Sequence, residues 1–185
     1  DLVKHGFMPL LMSSTFAPME NGDYLLMGQD HGVNQREIAR HSTHDADAYD
    51  RFNHDITKVL QALKPLLDAP PPNLFSDDPE ELLALPKDVL HNTVRLLTGS
   101  AADFLDDYFE SDILKGYLAS SSIIGTRVGP MSQGSGLVLL YHILGEHDGE
   151  MGGWSFHKRG NGGFTQVLSR AAKALGAEIR LDSAV

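Results

Sequence analysis

Trp154-Ser155-Phe156-His157-Lys158-Arg159-Gly160-Asn161-Gly162-Gly163 leads into Phe164-Thr165-Gln166-Val167-Leu168, and the chain then reaches Gly176-Ala177-Glu178-Ile179-Arg180-Leu181. Trp154 to Lys158 alternates apolar and polar residues, as a strand does. Gly160 to Gly163 reads as a tight loop. Phe164, Val167, Leu168, Ala171, Ala172 and Leu175 then recur at helical spacing on one face, and Gly176 supplies a C-cap. Ala177 to Leu181 alternates again and runs on to Val185. Strand, glycine loop, helix, strand is the local grammar of an α/β sheet.

Working back from this stretch, the earlier sequence is of another kind. Met8 to Phe16 and Tyr24 to Asp30 are strand-like runs that flank Met19-Glu20-Asn21-Gly22-Asp23. Asn-Gly is a strong hairpin signal because both residues tolerate positive φ, so two adjacent antiparallel strands are expected. From Asn34 to Leu67 the period becomes helical, with Ala46, Tyr49, Ile56, Leu60, Leu63 and Leu67 on one face. Ser42 or Thr43 caps the start by accepting from free backbone N–H groups, and Pro65 bends or frays the end. Ala69-Pro70-Pro71-Pro72-Asn73 forms a rigid extended connector. A helix opens at Pro79-Glu80-Glu81. Two more cover Ala101 to Tyr108 and Ser111 to Ala119, and Gly136 to Leu144 is apolar almost all round, which predicts a buried helix.

The 185 residues suit one domain or one domain with part of another, and 42% hydrophobic with 22% charged residues is ordinary for a globular chain. A net charge of −10 with scattered Lys and Arg argues against a nucleic-acid partner, which needs clustered positive charge. Without cysteine there is no disulfide, thiolate metal site or cysteine nucleophile. That suits a reducing cytosol. The chain opens without Met and ends at Ala184-Val185 in what reads as an unfinished strand, so both ends are read as cuts.

Four candidate chemistries stand in the sequence. His41, His44, Asp45 and Asp47, with Asp50 and His54 four residues apart, offer metal-ligand types, but a solvated helix start with acids favoured by the dipole accounts for them better; no metal site is assigned. Pro130-Met131-Ser132-Gln133-Gly134 lacks the first glycine of a nucleophile elbow. Gly160-Asn161-Gly162-Gly163-Phe164-Thr165 follows a strand and precedes a helix, yet the third glycine of a dinucleotide fingerprint falls at Thr165. Tyr141, Trp154 and Phe156 either face an apolar ligand or belong to an ordinary core. No catalytic residue is assigned.

Phe104-Leu105-Asp106-Asp107-Tyr108-Phe109, Leu114-Lys115, Ile123-Ile124-Gly125-Thr126 and Gly129-Pro130 resemble the middle of phytoene-desaturase-like FAD-dependent oxidoreductases. The branch in question holds desaturase-like carotene ketolases and pyridine-nucleotide-disulfide-oxidoreductase-like proteins. Gly153-Trp154 through Gly163 to Gly176-Ala177-Glu178-Ile179 is similar to that family's glycine-loop, helix and strand element. Glu20-Asn21-Gly22-Asp23, Asp45-Ala46-Asp47-Ala48-Tyr49 and Pro70-Pro71-Pro72 match more loosely.

The resemblance implies an internal fragment with an α+β fold. It would be the substrate-side domain of a two-domain flavoprotein, an antiparallel strand layer with packed helices, lacking the N-terminal dinucleotide-binding βαβ unit. Residues 1–152 would form the substrate-side region, and 153–185 would lead back to the FAD-binding domain. The cofactor would be FAD, touched by Val185, and the substrate an apolar carotenoid- or lipid-like molecule walled by Tyr141, Trp154 and Phe156. The missing FAD-binding segments of the parent would be partners, and the fragment alone would be inactive and hold no FAD. A cytoplasmic location follows, with membrane-peripheral contact left open. The alternative is a stand-alone helical interaction module without enzymatic activity.

Overall fold

The computed structural model describes residues 1–68, 85–147, 150–151 and 153–184. The Ala69–Asn73 connector, the helix expected at Pro79 and the site residue Val185 therefore lie outside the described residues. Along the chain the elements are β1 (Pro9–Leu11), β2 (Ser14–Pro18), β3 (Tyr24–Gly28), α1 (His31–Ala39), α2 (Thr43–Asp68), α3 (Lys87–Thr98), α4 (Ala101–Asp106), α5 (Asp112–Ala119), α6 (Ser135–Ile143), β4 (Glu146–His147), β5 (Glu150–Met151), β6 (Ser155–His157) and α7 (Gly160–Ala174), with 3₁₀ turns at Val3–His5 and Ser120–Ile123. Helix and small antiparallel ladders together are compatible with an α+β class. The expected single strand layer is instead three separate pairs among the described residues: β1 with β6, β2 with β3, and β4 with β5. The chain divides into two units, residues 13–145 and residues 1–12 with 146–185.

The 13–145 unit begins with the expected hairpin. Its register runs from Ser14↔Gly28 to Pro18↔Tyr24. The turn uses positive φ at Gly22 alone (+83°), while the Asn21 carboxamide accepts from the Asp23 N–H at 3.0 Å. Alternation along β3 buries Leu25 and Met27. Beyond it, buried Asn34 in α1 both accepts from the Gly28 N–H and donates to the Gly28 carbonyl, each at 2.8 Å, which fastens α1 to the strand end. The single helical stretch expected from Asn34 is two helices. Asp30 caps α1 by accepting from the Val33 N–H, and Ser42 caps α2 by accepting from the Asp45 N–H at 3.1 Å.

Helix α2 buries Ala46, Ile56, Leu60 and Leu63 of the expected face, leaves Tyr49 half-buried, adds Phe52 and Val59 to the core, and continues past Pro65 to Asp68. Helix α3, which no cap or periodicity noted above announces, buries Val89, Thr93 and Leu96. Phe52 of α2 meets Phe104, Tyr108 and Phe109 with ring centroids 5.1 to 6.4 Å apart, the aromatic centre of this core. Helix α6 lies close on α3, since a Cβ at Gly136 would stand 2.7 Å from the Leu96 carbonyl oxygen. It is not buried all round. Leu139 and Leu140 face the core, but Leu137 and Tyr141 face outward, because a helix packed from one side leaves its far face to solvent.

In the other unit, β1 and β6 pair antiparallel with Leu10 opposite Phe156. The upstream apolar run Met8–Phe16 is thus split between two ladders. Gly160 to Gly163, expected as a loop, forms the first turn of α7. A Cβ at Gly163 would lie 2.3 Å from Arg159 Cβ and 2.9 Å from His157 Cδ2, so this glycine is what lets the helix start against the strand. Phe7 stacks on His157 and meets Phe164 edge-on at 5.7 Å. The helix ends as predicted: Gly176 has φ +93°, its N–H bonds the Lys173 carbonyl, and the Ala177 N–H bonds the Ala172 carbonyl, a Schellman closure. The strand expected over Ala177 to Leu181 is absent. No described strand pairs with it, and an unpaired extended segment has nowhere to place its backbone hydrogen bonds except water.

Candidate functional site

A groove in the 13–145 unit, of about 400 Å³, runs between β2 and α5. One wall is β2 from Thr15 onward with Met19 after it; the other is a single helical stripe, Ile113, Gly116, Tyr117 and then Ser120. Both walls follow from local rules. Among the described residues, strand β2 pairs on one side only, with β3, which leaves its other edge without a strand partner. Helix α5 is started by Ser111, whose hydroxyl accepts from the Leu114 N–H at 3.3 Å. Residues three and four apart then share one face. Tyr49 is half-buried, and burial pushes its phenol above the ordinary range, the Asn53 hydrogen bond opposing this and the nearby Tyr117 adding to it.

The His/Asp cluster resolves differently from its sequence grouping. Asp50 accepts from Gln35 and lies 2.7 Å from His31 Nε2, while His41 Nε2 lies 3.1 Å from the Tyr24 carbonyl. Among the described residues, one set of three such ligand atoms lies within 4.8 Å: His44, Asp45 and Glu110. Glu110 carries no sequence-local signal, since it comes from the loop between α4 and α5. Asp45 is fully buried, and its two oxygens accept the N–H groups of Glu110 at 2.8 Å and Ser111 at 3.0 Å. Those oxygens satisfy the orphan donors ahead of α5, and the Ser42 hydroxyl donates to Glu110 at 2.8 Å. The cluster is a structural tie between the starts of α2 and α5.

Tyr141 projects from α6 and is 65% exposed. Trp154 and Phe156 belong to the other unit, at β6, and are 40% and 60% exposed. They are two residues apart and so share one face of the ladder, with Leu10 opposite Phe156. The β6–α7 junction does not by itself make a dinucleotide cradle. Gly163 is used to seat the helix on His157, and the residue where a third glycine would stand is Thr165, whose hydroxyl donates to the Gly162 carbonyl at 2.8 Å. Among the described residues, no helix is long and apolar enough to cross a membrane.

No protein-family model matches the chain. No solved structure matches it. Among curated proteins, the chain is similar to pyridine nucleotide-disulfide oxidoreductase domain-containing protein 2 of Rattus norvegicus and to the protein of the same name in Mus musculus. Each is 30% identical over 211 aligned positions, which cover 100% of this chain and 36% of the relative. The chain therefore spans about a third of the length of the curated relatives it matches, and along its full length it is their distant homologue.

Proposed function

We propose that this chain is the substrate-side portion of an FAD-dependent oxidoreductase of the phytoene-desaturase-like kind. The reactant would be apolar, carotenoid- or lipid-like, and the portion alone would not turn over. The observation that carries this reading is the alignment itself: all of this chain matches oxidoreductase-named proteins and accounts for 36% of their length. Packing supports it. In the unit of residues 1–12 and 146–185, Val167 is the one apolar side chain that is buried among the described residues, whereas Met8, Leu10, Phe156, Leu175 and Leu181 are exposed. A unit of that size with so little core needs further polypeptide to cover it.

In this reading the covering partner is the FAD-binding remainder of the parent. Residues 1–152 serve the substrate side and 153–185 return toward the flavin, with Val185 contacting the cofactor and Tyr141, Trp154 and Phe156 forming substrate wall. In this reading no residue of the chain other than Val185 is assigned to the dinucleotide, and no chemical step is assigned to the chain. The test is to purify this chain and a full-length parent side by side and measure flavin absorbance after gel filtration. Stoichiometric flavin on the long protein and none on the 185-residue chain is the expected result. A colourless parent sinks the redox assignment, and a yellow short chain sinks the division of labour.

A further inference from the structure

Gly116 is the anomaly of the groove between β2 and α5. It lies inside a helix, where glycine is weaker than alanine because it gives up more backbone freedom. Its φ is not in the left-handed region, and a Cβ there would meet nothing within 4 Å among the described residues. Gly136 and Gly163 make room for atoms that a Cβ would strike. Gly116 makes room for nothing among the described residues. What the glycine provides is open space on the groove wall.

The opposite wall adds polarity without charge. Met19 N–H bonds the Asp23 carbonyl. With the register unbroken, alternation turns the peptide groups of Ala17 and Thr15 toward β3 as well. Phe16 therefore directs its N–H and carbonyl away from β3. A groove lined by consecutive residues of both alternations borders that free edge. Pro18 contributes no donor there. The Ser120 hydroxyl donates to the Tyr117 carbonyl at 2.7 Å, which leaves its oxygen as an acceptor. No lining residue is charged, in a chain of net charge −10. An ion placed there would lose its hydration without a counter-charge.

We propose that this groove binds a neutral, mainly apolar small molecule carrying one hydroxyl or carbonyl, and that Gly116 sets the bulk it accepts. The volume of about 400 Å³ falls in the range of small-molecule sites. The proposal deepens the reading above and rests on it only for the ligand being the reactant.

The test is a methyl-NMR titration of the 185-residue chain, following the Met19 and Ile113 methyls with 1-octanol and with octanoate as probes. Octanol should give saturable shifts at both methyls, with octanoate weaker by roughly tenfold or more. Gly116→Leu should bind octanol at least about tenfold more weakly than the unaltered chain because its side chain fills the wall. Leucine is a stronger helix former than glycine, so loss of binding is not loss of the helix, and the octanoate arm needs no mutation. Unsaturable shifts, equal binding of the carboxylate, or octanol binding that survives Gly116→Leu would each overturn the proposal. Flavin does not enter the readout: a colourless parent leaves a positive titration standing, and a failed titration leaves a flavin-loaded parent standing.

Discussion

The Asp45 carboxylate, buried in the first turn of α2, accepts the backbone N–H of Glu110 at 2.8 Å across 65 residues of sequence. It accepts the Ser111 N–H as well, so one side chain satisfies two donors that no helix bond can reach. Asp45→Ala leaves both N–H groups unpaired, and the expected loss is about 3 kcal/mol or more, since buried charge-assisted bonds carry roughly 1.5–3 kcal/mol each. Urea unfolding should show a lower midpoint with an unchanged slope. A loss below about 1 kcal/mol would mean that water replaces the carboxylate. Because Asp45 is buried and each of its oxygens already serves a backbone N–H, added zinc should leave the midpoint of the unaltered chain where it is.

Gly162 and Gly163 are neighbours with opposite roles. A Cβ at Gly162 meets nothing within 4 Å, whereas one at Gly163 meets Arg159 and His157 inside contact distance. Gly163→Ala should cost about 1–3 kcal/mol by forcing α7 off β6. Gly162→Ala should gain about 0.5–1 kcal/mol by stiffening the unfolded chain and the helix. Amide hydrogen exchange at the β1–β6 ladder reads both. Faster exchange in the Gly162 variant than in the Gly163 variant would refute the assignment of Gly163 to helix seating.

What the sequence reveals of this molecule is what repeats locally. Asn21-Gly22 marks the hairpin, Ser42 and Ser111 mark helix starts, and Gly176 marks a helix end, because each acts on backbone within a few residues. The errors share one cause. Gly160 to Gly163 has loop composition, but Gly163 answers to His157 packing, which composition does not display. Ala177 to Leu181 has strand alternation, yet a strand exists only with a partner. Asp45 belonged to a visible acidic cluster, while its true partners, Glu110 and Ser111, lie in a distant loop. The groove was equally hidden. Its walls are residues 15–19 and 113–120, neither of them unusual until β2 and α5 come together.

Gly116 also predicts a gain. Gly116→Ala places a methyl group in empty space on α5, so thermal stability should rise by about 0.5–1 kcal/mol, as for an ordinary helix glycine. Thermal unfolding followed by circular dichroism measures it. A destabilised variant would show that the position is packed in solution, and the groove would then be narrower than described.

Tyr108 gives the chain an alkaline weakness. Burial, above all, pushes its phenol above the ordinary value of 10.0, and the hydrogen bond it donates to Asp55 at 2.9 Å, together with that carboxylate's charge, pushes the same way. The folded state therefore holds this proton more tightly than the unfolded chain. Its contribution is fully present below pH 10.0 and is lost as pH rises above that value. Tyr49, raised chiefly by burial, acts in the same direction. Urea midpoints taken from pH 8 to pH 11 should fall at the alkaline end (roughly one unit beyond the usual phenol range suffices to see it). Tyr108→Phe should flatten most of that fall, leaving the part due to Tyr49. At neutral pH the same variant should cost about 1 kcal/mol for the lost hydrogen bond. A Tyr108→Phe chain with an undiminished alkaline slope would place the responsible proton on another group.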